Sequence, residues 1–316
     1  MKKLKVLVAL TNSDNDYQLE QAAAAEEAAR RLGIEVQVID ADNDGIGQSQ
    51  QLLKVIQSAA SSHPDAIVFE PVGATALPHV ARAAATAGIA WVVLNRDVDY
   101  LTELRRTYPV PIFAISSDHE EIGRIQGRQL GALLPKGGCV LYIQGPAESS
   151  AARQRTAGMY ETKRVDIQIK TLRGSWTEAS AFKVVSSWLR LSTSREARID
   201  LIAAQDDSMA VGARKAFQEL TREADRERWL HLPFTGCDGL PKTGQAWVRS
   251  GLLAATIYVP PNAGRALEML VQAMHGNTKP PECKLTVPTS FPSIEQLAAS
   301  RWVRAQTAAA RQSAGR

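Results

Sequence analysis

The chain has 316 residues, 45% of them hydrophobic and 22% charged, with 37 Lys and Arg against 33 Asp and Glu and a net charge of +4. That suits one large or two medium globular domains. The basic residues are dispersed, which gives little ground for nucleic-acid binding. The three cysteines, Cys139, Cys237 and Cys283, are far apart and odd in number, so neither a disulfide framework nor a CxxC metal site follows, and no apolar run approaches the roughly 18 residues of a membrane span.

Lys2, Lys3 and Lys5 lead into an apolar run of only Val6 to Leu10, too short for the apolar core of an export signal, and no small-residue cleavage site follows. Leu4 to Leu10 reads as a buried strand and Tyr17 to Leu32 as an alanine-rich helix ended by Gly33. Next come a strand at Ile34–Ile39, a helix at Gln48–Ala60, a strand at Ala66–Phe69 and a helix at Leu77–Ala87. Strands at Ile89–Leu94 and Ile112–Ile115 lead to a helix at Glu121–Leu134. After Pro135 the pattern restarts with strands at Cys139–Ile143, Ile167–Leu172, Ile199–Ala204 and Leu232–Thr235. Helices at Ala151–Lys163, Ala179–Leu191 and Ser208–Leu220 separate them. Leu252–Val259 is strand-like, Ala263–Met274 helical and Leu285–Val287 a late short strand, and from Ala298 onward the chain reads as a fraying tail.

This β-α alternation, run twice with a reset between residues 118 and 137, predicts two similar lobes, each a doubly wound parallel sheet with helices on both faces. In such sheets ligands bind beyond the carboxyl ends of the strands. The polar residues that follow the apolar runs are Asn12, Asp14, Asp16, Tyr17, Glu70, Asn95 and Arg96 in the first half. In the second half they are Arg155, Trp176, Asp206 and Asp238. If the sheets face one another, these groups line one cleft, and they suit a polyhydroxylated ligand. Vicinal hydroxyls donate to carboxylates and accept from an arginine fork, and a ring's C–H face stacks on Trp or Tyr.

Each residue also has a plainer reading. Asp16 and Tyr17 could simply open a helix. Glu70 before Pro71 could be a solvated loop residue, Asn95-Arg96 a turn, and Trp176 a core residue. One of Asp206 and Asp207 caps the following helix while the other points into the cleft, and Asp238 before Gly239 could be a turn aspartate. Arg153 and Arg155 lie on nearly opposite sides of their helix, so one faces the crevice and the other does not. Gly158 shares a side with Arg155 and allows a close approach. Catalysis finds little support: His63, His79, His119, His231 and His275 are scattered, and no P-loop or GxGxxG follows the first strand. Cys237 is either a reactive thiol or a small buried residue. No cofactor and no metal site is expected.

Several segments together carry a family likeness: Ser150-Ala151-Ala152-Arg153-Gln154-Arg155 with Gly158, the run Ala204 to Ala213, Gly236-Cys237-Asp238-Gly239, and Gly251 to Ile257. Over about Leu4 to Val287 the chain resembles the type I periplasmic sugar-binding proteins, the ribose-binding and LacI-like superfamily. The resemblance implies two lobes joined by three crossovers, near Ser117-Asp118, Val259-Pro260 and Val287-Pro288. It implies an N-terminal lobe of 1–117 with 260–287, a C-terminal lobe of 118–259 with 288–300, and a tail of 301–316. The sugar contacts it implies are Asp16, Tyr17, Glu70, Asn95, Arg96, Arg155, Trp176, Asp206 and Asp238, with Arg155 rather than Arg153 as the binding arginine. Ribose-type binders usually have two aromatics at Asp16 and Tyr17, an amide at Glu70, an Asp-Arg pair at Asn95-Arg96 and an Asn at Asp206. Cys237 replaces a usual aromatic, and Val259 falls where a polar contact is common. A polyol is therefore expected, and ribose itself is not favoured over another pentose, a hexose, a cyclitol or a sugar alcohol.

The function the resemblance implies is a monomeric, non-enzymatic solute-binding protein. It would close on a small sugar or polyol and deliver it to an ABC transporter permease or a chemoreceptor, with no nucleic acid and no membrane insertion. Its location would be periplasmic, or cytoplasmic if Met1 is the true start, since no signal peptide is visible. One rival is a ligand sensor of the LacI kind acting through a partner, without its own DNA-binding domain. The other is a glycosidase using Glu70, Asp206 and Asp238.

Overall fold

The computed structural model describes residues 3–73, 76–195, 197–276, 278–300 and 302. The chain divides into two compact units, one running to Ser117 with Pro260–Thr286, the other Asp118–Val259 with the chain from Val287. The first unit opens with β1 (Lys5–Leu10), α1 (Asp16–Leu32), β2 (Glu35–Asp40), α2 (Gly45–Ile56), β3 (Ala66–Phe69), α3 (Pro78–Thr86), β4 (Ala90–Leu94), α4 (Leu101–Thr107) and β5 (Ile112–Ser117). The second unit runs through α5 (His119–Leu133), β6 (Gly138–Gln144), α6 (Ser150–Thr162), β7 (Ile167–Arg173), α7 (Glu178–Leu189), α8 (Ser192–Arg195) and β8 (Leu201–Ala204). It continues with α9 (Asp207–Gln218), α10 (Glu223–Leu230), β9 (Phe234–Thr235), α11 (Gly244–Ser250) and β10 (Thr256–Tyr258). The chain returns to the first unit for α12 (Ala263–His275) and β11 (Cys283–Thr286), then adds β12 (Thr289–Phe291) and α13 (Ile294–Ala298) to the second.

The first unit is a six-stranded parallel sheet of order β11-β5-β4-β3-β1-β2. Its inner strands β1, β3, β4 and β5 read as largely apolar runs because both faces are covered. Val6, Val8 and Leu10 of β1 pack with α1 and α12 on one face, while Leu7 and Ala9 pack with α2, α3 and α4 on the other. The second unit repeats the plan with a parallel sheet of order β7-β6-β8-β9. Leu141 and Ile143 of β6 face α7 and α9, and Val140 and Tyr142 face α5 and α6. The expected doubly wound architecture is therefore present in both units, and among the described residues no helix is long and apolar enough to cross a membrane.

Several local expectations are corrected. The Leu252–Val259 run forms a strand only at Thr256–Tyr258, and β10 pairs antiparallel with β12, a break in the all-parallel pattern. α2 starts earlier than expected, at Gly45, because Asp44 accepts a hydrogen bond from Ile46 N as its cap, and it ends at Ile56. Ala298 closes the capped helix α13, which buries Leu297, and Trp302 packs against the same core. The rest of the expected tail, 301 and 303–316, lies outside the described residues.

Helices α5 and α6 approach closely because glycines face one another's backbone. A Cβ on Gly123 would strike the Arg155 carbonyl, and one on Gly158 would strike the Glu120 carbonyl. Gly158→Ala is expected to cost about 1–3 kcal/mol through forced separation of the helices. Chemical denaturation of the variant measures it.

Candidate functional site

The first unit gathers its candidate residues at the carboxyl ends of β3 and β4. Glu70 follows β3 directly and is only 2% exposed, so it is no solvated loop residue. Its Oε1 meets Arg96 Nη1 at 3.1 Å. Its Oε2 accepts from Gln18 Nε2 at 3.1 Å and from Asn95 Nδ2 at 3.0 Å. A carboxylate taken from water needs such donors. Arg96 also donates from Nη1 to the Asn95 carbonyl at 2.8 Å. The Tyr17 hydroxyl donates to the Pro260 carbonyl at 3.2 Å and lies 3.5 Å from Asn95 Nδ2.

Asp16 is the first residue of α1 and half-buried, but the capping role belongs to its neighbour. Asn15 Oδ1 accepts from Tyr17 N and Gln18 N. Of the other polar residues expected there, Asn12 serves the loop, accepting from Asp14 N and Asn15 N, and Asp14 is exposed.

The second unit does the same at β6 and β8. Arg155 lies on α6 with only 6% exposure, whereas Arg153 is exposed. Arg155 donates from Nη1 to the Gln205 carbonyl and from Nε to His119 Nδ1 at 3.4 Å, and its guanidinium lies 5.3 Å from the Trp176 ring centroid. Trp176 is part loop, part core: it packs against the β6–α7–α9 core, and Gly145 leaves room for its ring.

Asp206 caps α9, its Oδ1 accepting from Met209 N at 2.5 Å. The reading that one aspartate caps and its neighbour points into the cleft is corrected at Asp207. That carboxylate turns to its own unit, accepting from Gly239 N at 2.8 Å and from Thr256 Oγ1 at 2.7 Å. Gly236 and Gly244 press against it, where a Cβ would collide with its oxygens. Asp207→Ala would strand a buried N–H and a buried hydroxyl, and a loss of about 2–4 kcal/mol is expected in urea unfolding.

Asp238 sits at φ 108°, its N–H bonded to the Ile257 carbonyl at 2.9 Å and its carbonyl accepting from Val259 N at 2.9 Å. Cys237 beside it is fully buried, and burial pushes its thiol well above the ordinary range, against the pull of Arg155. That favours the packing reading over the reactive thiol.

Other partners carried no signal in the sequence. Gln205 bridges Tyr142, Ala152 and Thr156 from Nε2 at 3.0 Å each, and its Oε1 accepts from Gly145 N. Burial raises the Tyr142 phenol pKa, so it stays protonated and donates to Gln126 Oε1 at 2.8 Å. Fully buried Asn262 donates to Asn95 Oδ1 at 2.6 Å and to Ser117 Oγ at 3.2 Å, and accepts from Thr286 Oγ1 at 2.9 Å. It thus ties Asn95 to the places where the chain leaves and re-enters the unit. A glutamine or asparagine in a turn or at a helix start reads as solvated until its distant partner is known.

Three of the six non-glycine residues with positive φ among the described residues are Asn95, Trp176 and Asp238. Such backbone persists where the surroundings over-determine it, and it concentrates at functional sites.

Comparison with known proteins bears on the family and the fold. The chain is 29% identical over 208 residues to a putative rhizopine-binding protein of Rhizobium meliloti, a match covering 63% of each, less than two thirds of that relative's length. It is 24% identical over 283 residues to the galactofuranose-binding protein of Escherichia coli, covering 88% of this chain and 85% of that one. A solute-binding protein of Actinobacillus succinogenes, solved with bound D-allose, superposes with a TM-score of 0.77 at 21% identity, covering 94% of this chain and 100% of that one. A Caulobacter myo-inositol binding protein, solved with myo-inositol, gives 0.75 at 20% identity, covering 95% and 96%. The family described as periplasmic binding protein domain matches residues 6–278, and the chain belongs to that family of binding proteins.

Proposed function

We propose that the protein binds one small sugar or related polyol and hands it on, unchanged, to an ABC importer permease or a chemoreceptor from the periplasm. The observation that carries this is the buried Glu70–Arg96–Asn95 network at the strand ends of the first unit. It offers fixed acceptors and a guanidinium fork, which match vicinal hydroxyls. Arg155 and Trp176 supply the second fork and an aromatic surface on the other unit. The ligand contacts in this reading are Asp16, Tyr17, Glu70, Asn95 and Arg96 together with Arg155, Trp176, Asp206 and Asp238, and engagement of both sets drives a shift to a closed state. Relatives named for galactofuranose binding, and fold neighbours holding D-allose and myo-inositol, support a polyol. The absence of turnover is supported by the family, by the raised thiol of Cys237, by the structural engagement of Glu70 and by the capping role of Asp206.

A thermal-shift panel of pentoses, hexoses, cyclitols, sugar alcohols, amino sugars and sugar acids tests it. A ligand at about a hundred times its dissociation constant adds roughly 2.7 kcal/mol of stability. One stereochemical class should raise the melting temperature and be recovered intact. No shift with any of them, or conversion of the hit, would sink the reading.

A further inference from the structure

Asn262 stands at the cap position of α12, yet its side chain accepts no N–H of that helix. Gln21 Oε1 takes the Ala263 N–H instead, at 2.8 Å. An asparagine at such a position usually caps its own helix, so this one is diverted to other partners. Its side chain is fully buried. Nδ2 donates to Asn95 Oδ1 at 2.6 Å and to Ser117 Oγ at 3.2 Å, and Oδ1 accepts from Thr286 Oγ1 at 2.9 Å. Ser117 and Thr286 are register partners at the ends of β5 and β11, and each is the last residue of the first unit before the chain leaves it. Pro260, two residues before Asn262, is where the chain returns.

The direction of these bonds is set from the other end of the network. Glu70 Oε2 takes N–H donors from Gln18 and Asn95. Asn95 therefore turns its Nδ2 to Glu70 and its Oδ1 to Asn262. Asn262 must then donate to Asn95 and to Ser117 while accepting from Thr286, a set that an amide can make. A carboxylate makes neither donated bond, and an apolar side chain makes none of the three. Asn95 also holds φ 55°, a backbone that persists in a non-glycine residue only where its surroundings over-determine it. The bond from Asn262 is part of those surroundings.

We infer that Asn262 is a positioning residue for ligand binding, which sets the Asn95 amide against Glu70 and ties it to the two exits of the chain at Ser117 and Thr286. Asn262 is fully buried and acts through Asn95. Closure of two-lobed binders is absorbed by a few residues where the chain crosses. A ligand contact at Asn95 is thereby coupled to the state of those exits, and the coupling is reciprocal. This rests on the binding reading above and deepens it.

Calorimetric titration in a double-mutant cycle tests it, with the thermal-shift panel member that raises the melting temperature most as the probe. Asn262→Asp keeps the side chain's shape and removes both donated bonds. It should weaken probe binding by about tenfold, within the range over which residues in contact couple. Asn95→Gly suits the positive φ and removes the amide through which Asn262 acts. In that background Asn262→Asp should change affinity by less than about threefold. A merely structural role would give the same loss in both backgrounds. Thr286→Val and Ser117→Ala leave Asn262 in place and carry the test if Asn262→Asp does not fold. Each should weaken probe binding severalfold in the parent and hardly at all in Asn95→Gly. Unchanged affinity in the folded variants, or an equal loss with and without the Asn95 amide, overturns the inference while polyol binding stands. A parent that binds no panel member overturns the binding reading, and this inference with it.

Discussion

Glu70→Ala should lower the unfolding free energy by about 3–5 kcal/mol, because it breaks a buried ion pair from one side. The side chains of Arg96 and Glu70 retain only 12% and 3% of their exposure. The substitution leaves the guanidinium without its counter-charge and strands two amide donors, those of Gln18 and Asn95. Arg96 Nε is already buried without a partner, so little remains nearby to compensate. Adding Arg96→Ala to Glu70→Ala should recover part of the loss, since the uncompensated charge goes with it. Equilibrium denaturation of both variants measures this. A single-variant loss below about 1 kcal/mol, the range of surface pairs, would show that water reaches the pair.

Arg155→Ala should weaken ligand binding by at least about thirtyfold. Truncating one partner of a buried, hydrogen-bonded charge pair costs about 2–5 kcal/mol, and every 1.4 kcal/mol is tenfold. Arg155 is held in place before any ligand arrives, by the Gln205 carbonyl, His119 and the Trp176 ring. A ligand therefore meets a preset donor and does not have to order it. Arg155→Lys should fail nearly as badly, because an ammonium cannot reproduce the planar fork. Titration of either variant with the ligand found by thermal shift checks this, alongside the variant's own melting temperature.

The alternating architecture was legible because buried parallel strands are apolar on both faces and glycines mark where the helices end. Gly33 at φ 68° ends α1, and Gly88 at φ 76° follows α3. Helices α4, α10 and α11 were not legible. α10 is charge-rich and buries only Trp229, and α4 and α11 span seven residues each, too few for a helical period to declare itself. The three-residue strands β10 and β12 carry no pattern that fixes their direction.

At the site, a strong polar residue straight after an apolar run was a usable signal, and Glu70, Asn95, Asp206 and Asp238 all prove buried. What the sequence could not resolve was the choice between neighbours. Asn15 caps where Asp16 was considered, and Asp207 turns inward to partners 32 and 49 residues away in the chain. The supporting glutamines and Asn262 were invisible for the same reason, since long-range contacts and not residue type give them their role.

The central claim is that one small polyol is held by side chains from both units at once. Calorimetric titration of that ligand into the parent, Arg96→Ala and Arg155→Ala proteins tests it most directly. The account predicts one site per chain in the parent, and a loss of at least about thirtyfold, roughly 2 kcal/mol, in each variant. Undiminished affinity in either variant, with that variant folded, would contradict it.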